Sequence, residues 1–200
     1  MKKIVILLLT IVVMNVATKA QTISLNGYGG YLFGDNLNYG TFTANIQGSG
    51  VWGASIEGMN QYGNGIELLY HQQNTQVPIK GYPGGNTINP GANSAVLSYI
   101  LLNFERYFNV GEKVMPYGAL GLGVLLTAPQ QGSGYSYFAW DAKMGVKIKT
   151  AGKLGFKIQA QLLSATAASG TAWYYGYVYT TYSTLWQFGF EGGITLDFSK

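Results

Sequence analysis

The chain has 200 residues, of which 48% are apolar, 14% aromatic and only 10% charged; the length fits one domain, and the charge falls well short of the roughly 25% of an ordinary soluble protein. Its 29 glycines, about twice the usual share, speak against a helical bundle, and the absence of cysteine excludes a disulfide framework, a thiolate metal site, a cysteine nucleophile and a lipidated N-terminal cysteine. The formal charge of +4 owes most to Lys2, Lys3 and Lys19 near the N-terminus; the rest is close to neutral, so nucleic acid is not an expected partner.

In chain order, Met1 to Ala20 reads as a cleaved signal peptide. Lys2 and Lys3 form its basic start, Ile4 to Met14 its apolar run, and Ala17-Thr18-Lys19-Ala20 its small-residue cleavage region before Gln21. The apolar run is too short to cross a bilayer core of about 30 Å as a helix. Residues 21–200 then form the expected mature domain, in which no apolar stretch is long enough for a membrane helix. The recurring pattern is two-residue alternation, the period of strands with two unlike faces.

Compatible strands fall at about 22–33, 50–59, 64–73, 94–108 and 114–126. The alternation is cleaner in Phe138 to Lys149, where Phe138, Trp140, Ala142, Met144, Val146 and Ile148 oppose Asp141, Lys143, Gly145, Lys147 and Lys149. It is cleanest in Leu154 to Leu162, where Lys157, Gln159 and Gln161 make the wet face. In the last segment Trp186, Phe188, Phe190, Ile194, Leu196 and Phe198 face away from Gln187, Glu191, Thr195 and Asp197. That makes eight strands. Long connections at about 34–49, 74–93, 127–135 and 167–183 alternate with short ones at 60–63, 109–113 and 150–153, the asymmetry of an antiparallel, up-and-down transmembrane β-barrel with short periplasmic turns and long outer loops.

Alternation alone does not say which face points inward, and a soluble lipocalin-like barrel is the competing reading. Composition separates them, because a soluble exterior wants roughly 25 to 35% charged residues. Here the polar parity carries few charges: Glu57, Glu67, Glu105, Asp141, Glu191 and Asp197 with Lys143, Lys147, Lys149 and Lys157. These are expected to form a paired lumen network. Aromatics gather near strand ends, with Tyr31, Phe33, Trp52, Tyr70, Phe138, Trp140 and Trp186 toward the long loops and Phe104, Phe108, Phe156 and Phe198 toward the short turns, as two interface girdles require.

The mature chain as a whole resembles the small eight-stranded outer-membrane barrels of Gram-negative bacteria, the OmpA/OmpX/OmpW type. Its most specific part is Glu191-Gly192-Gly193-Ile194-Thr195-Leu196-Asp197-Phe198, which resembles the terminal signal read by the barrel-assembly machinery, with Gly193, Leu196 and Phe198 at its key positions. Ser199 and Lys200 depart from that pattern, which otherwise stops at the aromatic. The resemblance implies an outer-membrane location, outer-membrane lipid around the barrel and the assembly machinery as a partner in biogenesis. No peptidoglycan-binding domain is recognised after the barrel, so no anchoring role through one is expected.

Candidate chemistry is sparse. His71 is the only histidine; with Ser55 and Glu57 or Glu67 on a neighbouring strand it could make the Ser-His-carboxylate set of a lipid-A-modifying barrel enzyme, but a hydrogen-bonded lumen histidine is the simpler reading. One histidine without ligand spacing offers no metal site, no cofactor is expected, and Gly118 to Gly123 lacks the helix and Lys-Ser/Thr of a nucleotide loop. The segment from about 167 to 183 carries Trp173, Tyr174, Tyr175, Tyr177 and Tyr179, rings suited to a glycan or protein partner outside the cell, although their alternation also fits a simple extension of the last hairpin. The expected role is a non-enzymatic structural or surface-interaction barrel, an adhesin or accessory subunit. The alternative is a narrow channel or carrier for small apolar ligands, as the OmpW resemblance implies.

Overall fold

The computed structural model describes residues 22–38, 43–80, 94–130, 134–167 and 183–199. The signal segment and the aromatic candidates Trp173, Tyr174, Tyr175, Tyr177 and Tyr179 lie outside these residues. The strands are β1 (Thr22–Leu32), β2 (Asp35–Asn38), β3 (Thr43–Ile46), β4 (Ser49–Met59), β5 (Asn64–Gln76), β6 (Ile79–Lys80), β7 (Ser94–Tyr107), β8 (Val114–Pro129), β9 (Tyr135–Lys149), β10 (Leu154–Ala167) and β11 (Ser183–Ser199). Eight of them close a barrel in the order β1-β11-β10-β9-β8-β7-β5-β4, and β2, β3 and β6 make a small separate sheet.

The barrel is antiparallel and up-and-down. Its closing seam runs unbroken from Thr22↔Ser199 to Leu32↔Gly189, and β1 pairs on its other side with β4 from Thr22↔Met59 to Leu32↔Ser49. No barrel strand is left with an unpaired edge, the condition for placing sheet in hydrocarbon. The eight expected strands are these eight. The main difference lies at the upper ends, where β5, β8, β9, β10 and β11 run three or more residues past their expected limits, so the third outer connection shrinks to 130–134. The small sheet is a second difference, built from within the expected loops 34–49 and 74–93.

Turns at the opposite end are short and locally enforced. Asn60 Oδ1 accepts from the backbone N–H groups of Tyr62 at 2.9 Å and Asn64 at 3.1 Å, and Gly63 completes the turn at φ 81°, in the left-handed region that suits glycine. Arg106, on the outward parity of β7, donates to the Tyr62 carbonyl at 2.7 Å and to Asn64 Oδ1 at 2.6 Å. Its charge is thereby held at the rim, away from the middle of the wall.

The two faces of the wall differ sharply. Outward side chains such as Met144 (70% exposed), Leu120 (65%) and Ile158 (57%) are bare, together forming an apolar band far larger than the few hundred Å² a soluble monomer tolerates. Aromatic pairs sit in its upper part: Trp140 against Trp186 at 5.3 Å, Trp52 against Tyr70 at 5.8 Å, and Phe188 against Phe190 at 5.0 Å between ring centroids. Phe104, Phe108, Phe156 and Phe198 are exposed toward the short turns. Charge and carboxamides occupy the inside. Among the described residues no helix is long and apolar enough to cross a membrane; the strands do the crossing.

Candidate functional site

Among the described residues, charged side chains converge in the lumen, and the inward parity of each strand puts them there. It is built in two storeys. The lower storey, toward the short turns, is ionic; the upper is apolar.

At the bottom, Lys147 on β9 donates to Asp197 at 2.8 Å and to Ser24 Oγ at 2.9 Å, while Ser24 donates to the same Asp197 oxygen at 2.6 Å. Above it, Lys157 on β10 is the hub: its Nζ lies 2.9 Å from Glu57, 3.6 Å from Glu105 and 3.9 Å from Glu67. The rings of Tyr117, Tyr107 and Tyr28 surround that ammonium at 4.9, 5.7 and 5.9 Å, a cation–π enclosure in the absence of bulk water.

Lys143 pairs with Glu67, whose oxygens also accept from Ser55 at 2.6 Å, Tyr28 at 2.7 Å and Asn103 at 3.0 Å. Lys147 reaches Glu57 at 3.9 Å, tying the lowest pair to the hub. Buried carboxylates and ammonium groups cost several kcal/mol each to desolvate and persist only when paired this closely.

Two carboxylates stand higher and are held by amides. Gln159 donates to Glu191 at 2.6 Å and Gln161 to Asp141 at 2.7 Å. Asp141 Oδ1 and Asn103 Oδ1 converge over Gly121, where a Cβ would meet them at 2.1 and 1.8 Å, so the lack of a side chain at Gly121 is what admits both.

All eight residues expected in the network, Glu57, Glu67, Glu105, Asp141, Lys143, Lys147, Lys157 and Glu191, are therefore inside the barrel and almost wholly buried. The two further lumen candidates differ: Asp197, near the end of β11, and Lys149, at the end of β9, are only partly buried.

His71 is fully buried in mid-lumen. Its ring meets Tyr28 edge-on at 5.9 Å, and its near carboxylate is Glu191, with Nε2 to Oε2 at 3.4 Å. Ser55 instead donates to Glu67. The Ser-His-carboxylate set is thus not assembled, and its members lie inside the barrel and away from the membrane rim.

The upper storey was not anticipated. Leu32, Leu69, Leu97, Tyr99, Leu101, Leu125, Ala139 and Leu163 fill it at 0% exposure, joined from above by Ile46 at the end of β3 and Val77 just after β5. A polar bridge crosses it, in which Tyr99 donates to Gln187 Oε1 at 3.0 Å and Gln187 Nε2 donates to Gln73 Oε1 at 3.0 Å. A sequence signal existed: β7 reads Ala95-Val96-Leu97-Ser98-Tyr99-Ile100-Leu101-Leu102, apolar on both parities, as a strand must be when lipid lies on one side and an apolar lumen on the other.

At the C-terminal motif, Leu196 and Phe198 project outward and are exposed. Gly193 faces inward under the Tyr28 ring, which a Cβ would meet at 2.7 Å.

Among solved structures, the chain is similar to the outer membrane protein OprG from Pseudomonas aeruginosa, at 14% identity and a TM-score of 0.63 over 91% of this chain and 98% of that one. It is also similar to Neisserial surface protein A, at 13% identity and a TM-score of 0.56 over 90% of this chain and 98% of that one. No protein-family model and no curated protein sequence matches it. At these identities the likeness lies in the fold. The chain has the architecture of the small eight-stranded outer-membrane barrels, and its structural neighbours are outer-membrane proteins of Gram-negative bacteria.

Proposed function

We propose that this outer-membrane barrel is a closed, non-enzymatic scaffold that works at the cell surface, as a structural or surface-interaction protein. The observation that carries the reading is the double obstruction of the lumen, a charge-paired lower storey beneath a packed apolar one. A polar solute would have to strip its water against Leu97, Leu101 and Leu125 and then separate Lys157 from three carboxylates. Eight strands enclose a space just wide enough for side chains to fill.

In this reading the outer connections carry the role, and Trp173, Tyr174, Tyr175, Tyr177 and Tyr179 are its candidate contacts for a glycan or protein partner. Outer-membrane lipid covers the apolar band. Leu196 and Phe198, exposed on the last strand, suit recognition by the assembly machinery, whereas Gly193 has a packing reason of its own beneath Tyr28.

The second reading is a narrow channel or carrier for small apolar ligands, and the apolar upper storey is what favours it. It requires Ile46 and Val77 to leave their buried positions. Recording from purified barrel in planar bilayers, with and without small apolar ligands, separates the two. The closed scaffold gives no large, steady current and no ligand-dependent change; a stable porin-sized current carried by the monomer would overturn it.

A further inference from the structure

We propose that the extracellular rim of the barrel carries a binding pocket for a neutral sugar. Between the upper ends of β4, β5, β7 and β8 lies a cavity of about 710 Å³, within the range of roughly 300 to 1,000 Å³ that holds small ligands. Its polar lining includes Gln47, Asn74, Thr75, Gln76, Ser94 and Gln130, over a floor that includes Val96 and Ala128. Asn74, Gln76, Ser94, Val96 and Ala128 have the outward parity of their strands, and Ser49, Thr75 and Ala95 the inward one, so the cavity lies across the upper rim of the wall, above the ionic part of the lumen.

Among the described residues no charged side chain lines it, in contrast to the lower lumen, where each polar layer holds a carboxylate or an ammonium. Four carboxamide residues and three hydroxyl residues line it. Each carboxamide presents a donor and an acceptor side by side, which matches the neighbouring hydroxyls of a sugar ring. A phosphate would call for Lys or Arg.

The backbone around these groups is fixed. Gln47 N–H donates to the Gln76 carbonyl at 3.0 Å, Thr75 Oγ1 to the Gln47 carbonyl at 2.6 Å, and Gln130 N–H to the Ser94 carbonyl at 2.9 Å. The walls are thus preformed, which lowers the ordering cost of binding.

A line of polar groups leads up to the pocket from the aromatic girdle. Tyr70, packed on Trp52, donates to Gln72 Oε1 at 2.8 Å, and Gln72 Nε2 points to Asn74 Oδ1 at 3.5 Å. The wall therefore changes from apolar to carboxamide-rich on passing Trp52 and Tyr70, and the pocket opens where sugars begin outside a membrane. A sugar carried on a lipid of the outer leaflet and a free oligosaccharide share the required chemistry. The proposal rests on the cell-surface reading for its biological setting, but its test does not depend on the lumen.

The test uses the refolded full chain in lipid nanodiscs, observed through its side-chain amide NMR signals. Lactose and maltose serve as free neutral sugars, a monogalactosyl lipid in the nanodisc as a membrane-borne one, and glucose 6-phosphate against glucose as the charge control. Saturable shifts of the Gln47, Asn74, Gln76 and Gln130 carboxamides are expected with a neutral sugar, with the phosphate conferring no gain. The Asn74→Leu, Gln76→Leu double variant should bind about tenfold more weakly while keeping its folded migration on gels. Binding confined to the lipid-borne sugar would assign the pocket to the outer leaflet; equal binding of lactose or maltose would assign it to free glycans. Absence of shifts with every neutral sugar, tighter binding of the phosphate, or undiminished binding by the double variant would overturn the proposal. Because planar-bilayer recording addresses the lumen alone, failure here and failure of the closed-scaffold reading are told apart.

Discussion

Replacing Lys157 by Met removes the cation at the centre of the ionic storey and keeps most of its volume. At an effective dielectric of about 20, unit charges at the observed 2.9, 3.6 and 3.9 Å attract by about 4 to 6 kcal/mol each. Against that gain stand the desolvation of the ammonium, several kcal/mol, and the mutual repulsion of the three carboxylates it holds together. Without Lys157, Glu67 keeps Lys143 and Glu57 keeps Lys147, but Glu105 is left with only the Tyr107 hydroxyl at 3.1 Å. Breaking a buried pair in this one-sided way costs about 3 to 5 kcal/mol. Urea titration of the barrel folded into lipid vesicles, with the folded fraction read from unboiled gel migration, measures it. Adding Glu105→Gln removes the stranded charge and should recover part of the loss, a coupling of about 1 to 3 kcal/mol. A single variant within about 0.5 kcal/mol of wild type, or a double variant costing the sum of the two singles, would refute the hub.

Ile158→Lys puts a charge on the lipid-facing side at mid-wall and should cost about 2 to 4 kcal/mol. Gln159→Lys, one residue on and beside Glu191 in the lumen, should cost less in the same titration, and equal penalties would mean that the facing is wrong. Gly121→Ala drives a methyl group into Asn103 Oδ1 and Asp141 Oδ1, so a loss of about 1 to 3 kcal/mol is expected. Ala142→Gly, on the opposite parity of the neighbouring strand, provides a control without that clash.

Much of the fold was legible because lipid and lumen make opposite demands on alternate residues. Leu154 to Leu162 shows this most plainly: Lys157, Gln159 and Gln161 fall on one parity, and that parity faces inward. Pairing was not legible. Which carboxylates surround Lys157 depends on barrel closure, which brings Glu57 to it across one hundred residues of sequence.

The upper storey was obscured for a related reason. Where both sides of the wall are apolar, as along Ala95 to Leu102, the two-residue contrast fades and the strand looks merely weak. The β2-β3-β6 sheet was missed because its strands are only two to four residues long, too short for periodicity to register. Yet Ile46, the last residue of β3, and Val77, between β5 and β6, are buried with the upper storey.

The sealed lumen can be tested directly because the chain contains no cysteine, so a single one introduced at a chosen depth is a clean reporter. Leu101→Cys places it in the upper storey, where Leu101 is at 0% exposure, and Tyr62→Cys places it on an exposed turn as a positive control. In the folded barrel, a small charged methanethiosulfonate reagent should label Cys at position 62 at once and leave position 101 unmodified until the protein is unfolded in urea. Rapid labelling of position 101 in the folded state would mean that water and solutes reach the lumen, and the closed scaffold would be contradicted.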